Sequence, residues 1–129
     1  MGSPECPFCE RLQSGDVVME NELAAVLRDA YPVSAGHVLI VPKRHEGSML
    51  ALSEEEQLSM LQLARMVCRE SAATDGFTIG ANVGQAAGQT VSHAHLHIIP
   101  RYQGDVADPR GGVRWVIPEK AAYWENADG

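Results

Sequence analysis

The chain has 129 residues, 45% of them hydrophobic, and a formal net charge of −7 at pH 7. That length fits one compact core of ordinary size, and the acidic balance argues against broad nucleic-acid binding driven by counterion release. The longest apolar runs, such as residues 38–41, are far too short to span a bilayer and no signal-peptide pattern opens the sequence, so a cytoplasmic protein without a membrane or nucleic-acid partner is expected.

Two of the three cysteines form Cys6-Pro7-Phe8-Cys9. An odd cysteine count without a secretion signal argues against structural disulfides. Two-residue spacing lets both thiolates reach one tetrahedral ion, and His45 with His93 would complete a Cys2His2 set. A redox pair is the competing use, although the pair does not read as following a strand and opening a helix, as a thioredoxin-like motif would. Cys68 falls in a helical pattern and reads as a small core residue.

The residue pattern predicts short strands over 17–20 and 23–27, separated by a polar turn at Asn21 and Glu22, and a third strand over 37–41. Ser53 followed by Glu56 is a capping box. Leu58, Leu61, Ala64, Val67, Cys68 and Ala72 then recur at helical spacing, which predicts one amphipathic helix over about 54–73 with that stripe on the core. Strands follow over 77–83 and 92–100. No internal repeat is present. These elements make an α+β fold, an antiparallel sheet with a long amphipathic helix packed on one face.

The link between the last two strands, Asn82-Val83-Gly84-Gln85-Ala86-Ala87-Gly88-Gln89-Thr90-Val91-Ser92, is rich in glycine, amide and hydroxyl groups. Glycine permits positive φ and close backbone approach, so such a loop can present N–H groups to an anion; an ordinary hairpin connection is the plain alternative. The loop runs into His93-Ala94-His95-Leu96-His97-Ile98-Ile99. Period-two alternation puts the three imidazoles on one face and the apolar residues on the other. Imidazole, with an ordinary pKa of about 6.5, serves near neutrality as nucleophile, acid, base or metal ligand, and a purely structural strand gains nothing from three of them. Loop and histidines together favour a phosphate or oxyanion site. A metal-dependent hydrolase using all three as ligands is geometrically awkward, because residues i and i+4 of a strand start about 13 Å apart.

Beyond Arg101, Arg110 and Arg114 flank glycines and Trp115. That arrangement suits a second phosphate or a stacked base, or equally a surface loop leading to one more strand. The polar tail 125–129 is expected to fray.

Gly88-Gln89-Thr90-Val91 running into His93-Ala94-His95-Leu96-His97-Ile98-Ile99-Pro100-Arg101 closely resembles the signature of the histidine triad proteins, which are nucleotide hydrolases and transferases. The segment from Asp29 through Pro32, Gly36, His37, Pro42 and Lys43 to His45 resembles the other core segment of that family. The resemblance covers roughly residues 4–101 of a single domain spanning 1–129, leaves 102–129 as a divergent C-terminal segment, and points to the zinc-containing bacterial, Hint-like branch. It implies that His95 attacks the α-phosphate of a nucleoside phosphoramidate or dinucleoside polyphosphate and carries a nucleotidyl intermediate. It further implies that His97 donates to a non-bridging oxygen, that Thr90 lies near the leaving group, and that Asn82 and Gln89 contact phosphate. Asp29 would accept hydrogen bonds from ribose hydroxyls, Leu27 with Ala30 would line an apolar base pocket, and His37 would tie the two core segments together. Cys6, Cys9, His45 and His93 would hold a structural zinc, with no organic cofactor, and a homodimer is expected. The segment 103–117 has no counterpart in the purine-type phosphoramidases, so substrate choice is expected to depend on it. A nucleotide-binding regulator with incidental hydrolysis is the alternative from a different functional class.

Overall fold

A computed structural model of the chain describes residues 5–71 and 73–126. Ala72, expected on the helix stripe, and the tail residues 127–129, expected to fray, lie outside the described residues. Helix α1 (Pro7–Ser14) opens at Cys6, whose Sγ accepts from the Cys9 N–H at 3.4 Å, and closes at Gly15, held at φ +78° with its N–H on the carbonyls of Arg11 and Leu12. Proline in the first turn lacks only an N–H that no helix bond needs there, and glycine takes the left-handed closing position without strain. The cysteine pair therefore does open a helix, contrary to the sequence expectation. At 8 residues the helix is too short to show an apolar period.

Five strands form one sheet: β1 (Met19–Glu20), β2 (Ala24–Arg28), β3 (Val38–Pro42), β4 (Gly76–Gly80) and β5 (Leu96–Arg101). Their order is β1-β2-β3-β5-β4, and every neighbouring pair is antiparallel. Inserting β5 between β3 and β4 sets His97 opposite Leu39 on one side and Gly80 on the other. The ladder of β5 begins at Leu96 rather than at residue 92. His93 and His95 sit in its lead-in because their neighbours bond elsewhere: the Ala94 N–H donates to the Glu46 carbonyl at 2.7 Å, and β3 has already ended at Pro42. Alternation persists through the lead-in all the same. Ala94, Leu96 and Ile98 join Ala24, Val26, Val38 and Ile40 in one core cluster, while Ala25, Leu27, Leu39 and Val41 on the opposite face cluster with Cys6, Phe8 and Cys9 of the α1 region.

Helix α2 (Glu54–Glu70) has the predicted capping box, with Ser53 Oγ accepting from the Glu56 N–H and Glu56 Oε1 accepting from the Ser53 N–H. Its buried face is Glu56, Met60, Leu63, Ala64 and Val67. Leu58 and Leu61, expected on the core stripe, are each 57% exposed, so the stripe is rotated from the sequence reading. Glu56 sets the phase. Arg44, just beyond β3, grips both of its carboxylate oxygens, at 3.0 and 2.9 Å, and this turns the side of the helix that carries residues 56, 60, 63 and 67 onto the sheet. Cys68 packs against the same core from its edge, as expected.

After β5 the chain forms 3-10 turns over Gly112–Val116 and Tyr123–Asn126 and a short helix, α3 (Pro118–Ala121). No further strand forms there among the described residues. Arg110 chelates Asp108 and lies 4.5 Å over the Trp124 ring, while Trp115 Nε1 donates to the Arg110 carbonyl. Arg114 donates to the carbonyls of Ala121 and Lys120 and lies 4.7 Å over Tyr123. Both arginines thus act as internal struts of the segment. No helix of the described residues is long and apolar enough to cross a membrane.

Two outcomes test this packing. Leu63→Ala should lower the unfolding free energy by about 2–5 kcal/mol through loss of buried side chain and a residual cavity, whereas Leu58→Ala should change it by less than about 0.5 kcal/mol; denaturant titration reads both. The Arg44 guanidinium, helped by the Ser53 N–H, holds the Glu56 carboxyl down from 4.5 to about 2. A carboxyl depressed on folding contributes stability that is complete above its unfolded pKa and lost as pH falls toward its folded one. Denaturation midpoints should therefore drop between pH 4.5 and about 2, and less so in Glu56→Gln.

Candidate metal centre and histidine site

The lead-in to β5 places His93 under the end of β3. Its Nε2 lies 2.8 Å from the Pro42 carbonyl, an acceptor only, so Nε2 carries the proton and Nδ1 a lone pair. That lone pair faces Cys6 Sγ at 3.4 Å and Cys9 Sγ at 3.5 Å, and Cys9 Sγ lies 3.2 Å from His45 Nδ1. The four donor atoms lie within 4.8 Å of one another. A tetrahedral zinc with Zn–S of about 2.3 Å and Zn–N of about 2.0–2.1 Å sets sulfur–nitrogen edges of about 3.5 Å, so the observed spacings are those of ligands around one ion. The donor set fits as well. Burial pushes the Cys6 thiol up from its ordinary value, a cost to the thiolate that a bound dication offsets. Four residues brought together from α1, the loop after β3 and the lead-in to β5 thus form a group able to hold a metal ion.

His95 stands two residues on, 8% exposed. Its Nδ1 lies 2.8 Å from the His93 carbonyl, which again can only accept. Nδ1 is therefore protonated, and Nε2 keeps the lone pair a nucleophile needs. Phe8 meets both rings at near right angles, with centroid separations of 5.8 Å to His93 and 5.1 Å to His95.

His97 is fixed by a chain of hydrogen bonds that begins in the β2–β3 loop. The Val33 N–H donates to His37 Nδ1 at 3.1 Å, so a neutral His37 carries its proton on Nε2, which donates to His97 Nδ1 at 2.9 Å. The remaining nitrogen of His97, Nε2, is then an N–H donor. Asp29 closes the group, with Oδ2 3.3 Å from His37 Nε2 and Oδ1 accepting from the Tyr31 N–H at 2.8 Å. One carboxylate oxygen forms the turn before Pro32 and the other faces the histidines. Burial lowers the pKa of His37, opposed by Asp29; burial followed by the charges of His95 and His37 lowers that of His97. Both shifts keep these rings neutral near pH 7 and preserve the donor–acceptor order. Asp29, His37 and His97 also bring three possible ligand atoms together, a closeness that the hydrogen bonds among them account for.

The other sequence candidates take varied places. Gln89 is spent on its own loop: Oε1 accepts from the Gly84 N–H, and Nε2 donates to the carbonyls of Gly47 and Val91. With Gly84 and Gly88 both at φ +91°, it fixes a tight turn beside a cavity of about 380 Å³ that Glu46, Ser48 and Ser92 also line. Asn82 and Thr90 lie exposed at the two ends of this loop. Leu27 is fully buried with Leu39 and Phe8 on the sheet face that also carries His97, and Ala30 is exposed. Sequence reasoning missed Phe8, the Pro42 carbonyl and the Val33 N–H. Only Phe8 left a signal, as one of two phenylalanines in the chain and the one enclosed by the cysteine pair. Beyond His97 the same sheet face runs into a cavity of about 500 Å³ where Val33, Ile99 and Arg101 meet Trp115 of the C-terminal segment.

Comparisons agree with this site. The family model of the HIT domain matches residues 10–104. An AP-4-A phosphorylase from Mycobacterium tuberculosis is 32% identical over 111 residues, 80% of this chain and 57% of that protein. An adenosine 5′-monophosphoramidase from Schizosaccharomyces pombe is 34% identical over 100 residues, 74% of each chain. The crystal structure of a zinc-bound histidine triad family protein from Mycobacterium smegmatis superposes with a TM-score of 0.72 at 32% identity, covering 98% of this chain and 99% of that one. With the three alternating histidines, the antiparallel five-stranded sheet and a domain match over most of its length, the chain belongs to the histidine triad, or HIT, family.

Proposed function

We propose that this protein is a nucleotide hydrolase or nucleotidyl transferase that cleaves at the α-phosphate of a nucleoside phosphoramidate or dinucleoside polyphosphate through His95. The observation that carries the reading is the hydrogen bond from His95 Nδ1–H to the His93 carbonyl, which leaves Nε2 unprotonated beside a second imidazole whose Nε2–H is free to donate. Attack by His95 Nε2 on phosphorus forms an N–P bond as the bond to the leaving amine or phosphate breaks, and a leaving amine takes its proton from solvent. The imidazolium of the intermediate is stabilised at Nδ1 by the His93 carbonyl. Water then displaces His95, giving up a proton to solvent and releasing the nucleoside monophosphate, whereas another acceptor such as phosphate takes the nucleotidyl group and leaves as its own adduct. His97 Nε2–H donates to a non-bridging oxygen as charge builds there. Thr90 donates toward the leaving group, and Asn82 with the backbone of the Gln89-stapled loop contacts the phosphates. Asp29 Oδ2 accepts from the ribose hydroxyls, with His37 fixing His97 beside it and Leu27 backing the base pocket. Names borne by two relatives, a phosphorylase of AP-4-A and an adenosine monophosphoramidase, support this substrate class.

Cys6, Cys9, His45 and His93 would hold zinc in a structural role, where the ion ties α1 to the sheet. A metallohydrolase using the His triplet is disfavoured by the directions of the rings, since His93 Nδ1 faces the cysteines and His97 Nδ1 faces His37. The edge position of β4, with Ile79 half-exposed, and the exposed Leu58 and Leu61 of α2 support a homodimer. A binding or regulatory role with incidental hydrolysis is the second reading, favoured by the family's nucleotide site alone.

Purified protein should release adenosine monophosphate from an adenosine phosphoramidate, or mononucleotides from a dinucleoside polyphosphate, with dependence on inorganic phosphate marking phosphorolysis. His95→Ala should lose turnover by on the order of 10³-fold or more while still binding nucleotide; turnover retained in that variant sinks the assignment. On chelation, activity should decay together with far-UV ellipticity, because metal loss acts through unfolding. Immediate loss of activity in a chain that stays folded would instead mark a catalytic metal.

A further inference from the structure

Phe8 takes no part in the chemistry proposed above, yet it touches both the metal cluster and the catalytic ring. It lies between Cys6 and Cys9, is 8% exposed, and meets His93 and His95 at interplanar angles of 76° and 74°. The contact has a mechanical consequence. The hydrogen bond to the His93 carbonyl selects the Nδ1–H tautomer of His95 only while the ring stays aimed at that oxygen, and because the angular tolerance at a carbonyl oxygen is broad, the ring alone can rock far enough to weaken the bond and its hold on the tautomer. An aromatic ring packed at right angles against it removes the freedom that remains. Phe8 is itself held on both sides. Cys6 caps α1 and faces His93, and Cys9 faces His45 and His93, so the helix turn that carries Phe8 is pinned to the same lead-in as the nucleophile.

We propose that Phe8 is a positioning residue for the nucleophile: the cysteine clip holds Phe8 against His95, and Phe8 holds the His95 ring in the orientation and tautomer from which Nε2 attacks. This rests on the reading of His95 as the nucleophile. A metal ion at the clip then influences turnover through the placement of α1 and Phe8, at a distance from the reacting phosphorus. Of the two cysteine-flanked side chains, Pro7 is exposed and Phe8 is buried, so the motif turns its one aromatic ring inward onto the site.

The test compares Phe8→Leu, which keeps an apolar side chain without a ring, with Phe8→Tyr, which keeps the ring. Each is prepared with bound zinc, and metal content and far-UV ellipticity are measured beside the wild type. Long-range imidazole 1H–15N spectra report the His95 tautomer directly, with no need for turnover. Phe8→Leu should retain metal and fold, show a mixture of His95 tautomers, and lower kcat on the phosphoramidate by about 10–100-fold with KM nearly unchanged. Phe8→Tyr should restore a single tautomer and most of kcat. A folded, metal-loaded Phe8→Leu with a single Nδ1–H tautomer and wild-type kcat would overturn the proposal, leaving Phe8 as core filling. Should Phe8→Leu not fold, Phe8→Met, with a longer and more adaptable side chain, gives the same comparison. If the wild type turns over neither substrate while Phe8→Leu still mixes tautomers, the nucleophile reading fails and the positioning by Phe8 stands.

Discussion

A neutral imidazole has one N–H and one lone pair, and in this protein fixed backbone groups decide which nitrogen has which. The Pro42 carbonyl takes the Nε2 proton of His93, and the His93 carbonyl takes the Nδ1 proton of His95. The Val33 N–H occupies Nδ1 of His37 and so orders His97 beyond it. Four rings gain distinct roles from three backbone groups: His93 turns a lone pair to the cysteines, His95 keeps one free at Nε2, and His97 keeps a donor at Nε2. Backbone is well suited to this, because a carbonyl accepts only and an amide donates only, whatever the pH.

The sheet exists, in functional terms, to bring those backbone groups into range. Inserting β5 between β3 and β4 places the lead-in to β5 alongside the end of β3, where Pro42, Glu46 and His45 lie. The continuing β2–β3 pair carries Asp29 to His37, whose backbones still bond at 3.2 Å beyond the strand ends. The two faces of the sheet then divide the work. One is sealed by α2, with Glu56 and Arg44 fixing its rotation; the other holds the histidines under α1. A short helix suffices on that second face, since the cysteines and Phe8 anchor it through specific contacts where apolar area is small.

Outside the centre, several polar groups that look available in the sequence are committed to holding the chain itself. Gln89 staples the glycine-containing loop to Gly47, so that loop is shaped before any anion arrives. Arg110 and Arg114 brace the C-terminal segment by stacking on Trp124 and Tyr123. Preorganisation of this kind lowers the ordering cost of binding, and under the proposed function any phosphate contact of this loop falls to its backbone, since the Gln89 amide is already engaged.

The sequence alone carried the α+β class, the capping box at Ser53, the one-sided alternation of His93, His95 and His97, and the membership of Cys6, Cys9, His45 and His93 in one group. Each follows from local rules, period-two geometry and ligand chemistry, or from the resemblance of two long motifs. It carried neither the rotation of α2 nor the existence of α1, because Leu58 and Leu61 match a helical stripe as well as Met60 and Leu63 do, and eight residues are too few for a period to show. Nor did it reveal the tautomers, or Phe8 as the neighbour of two histidines. Those depend on which carbonyl or ring lies within about 3–6 Å after strands distant in sequence have paired, and that proximity exists only once the chain has folded.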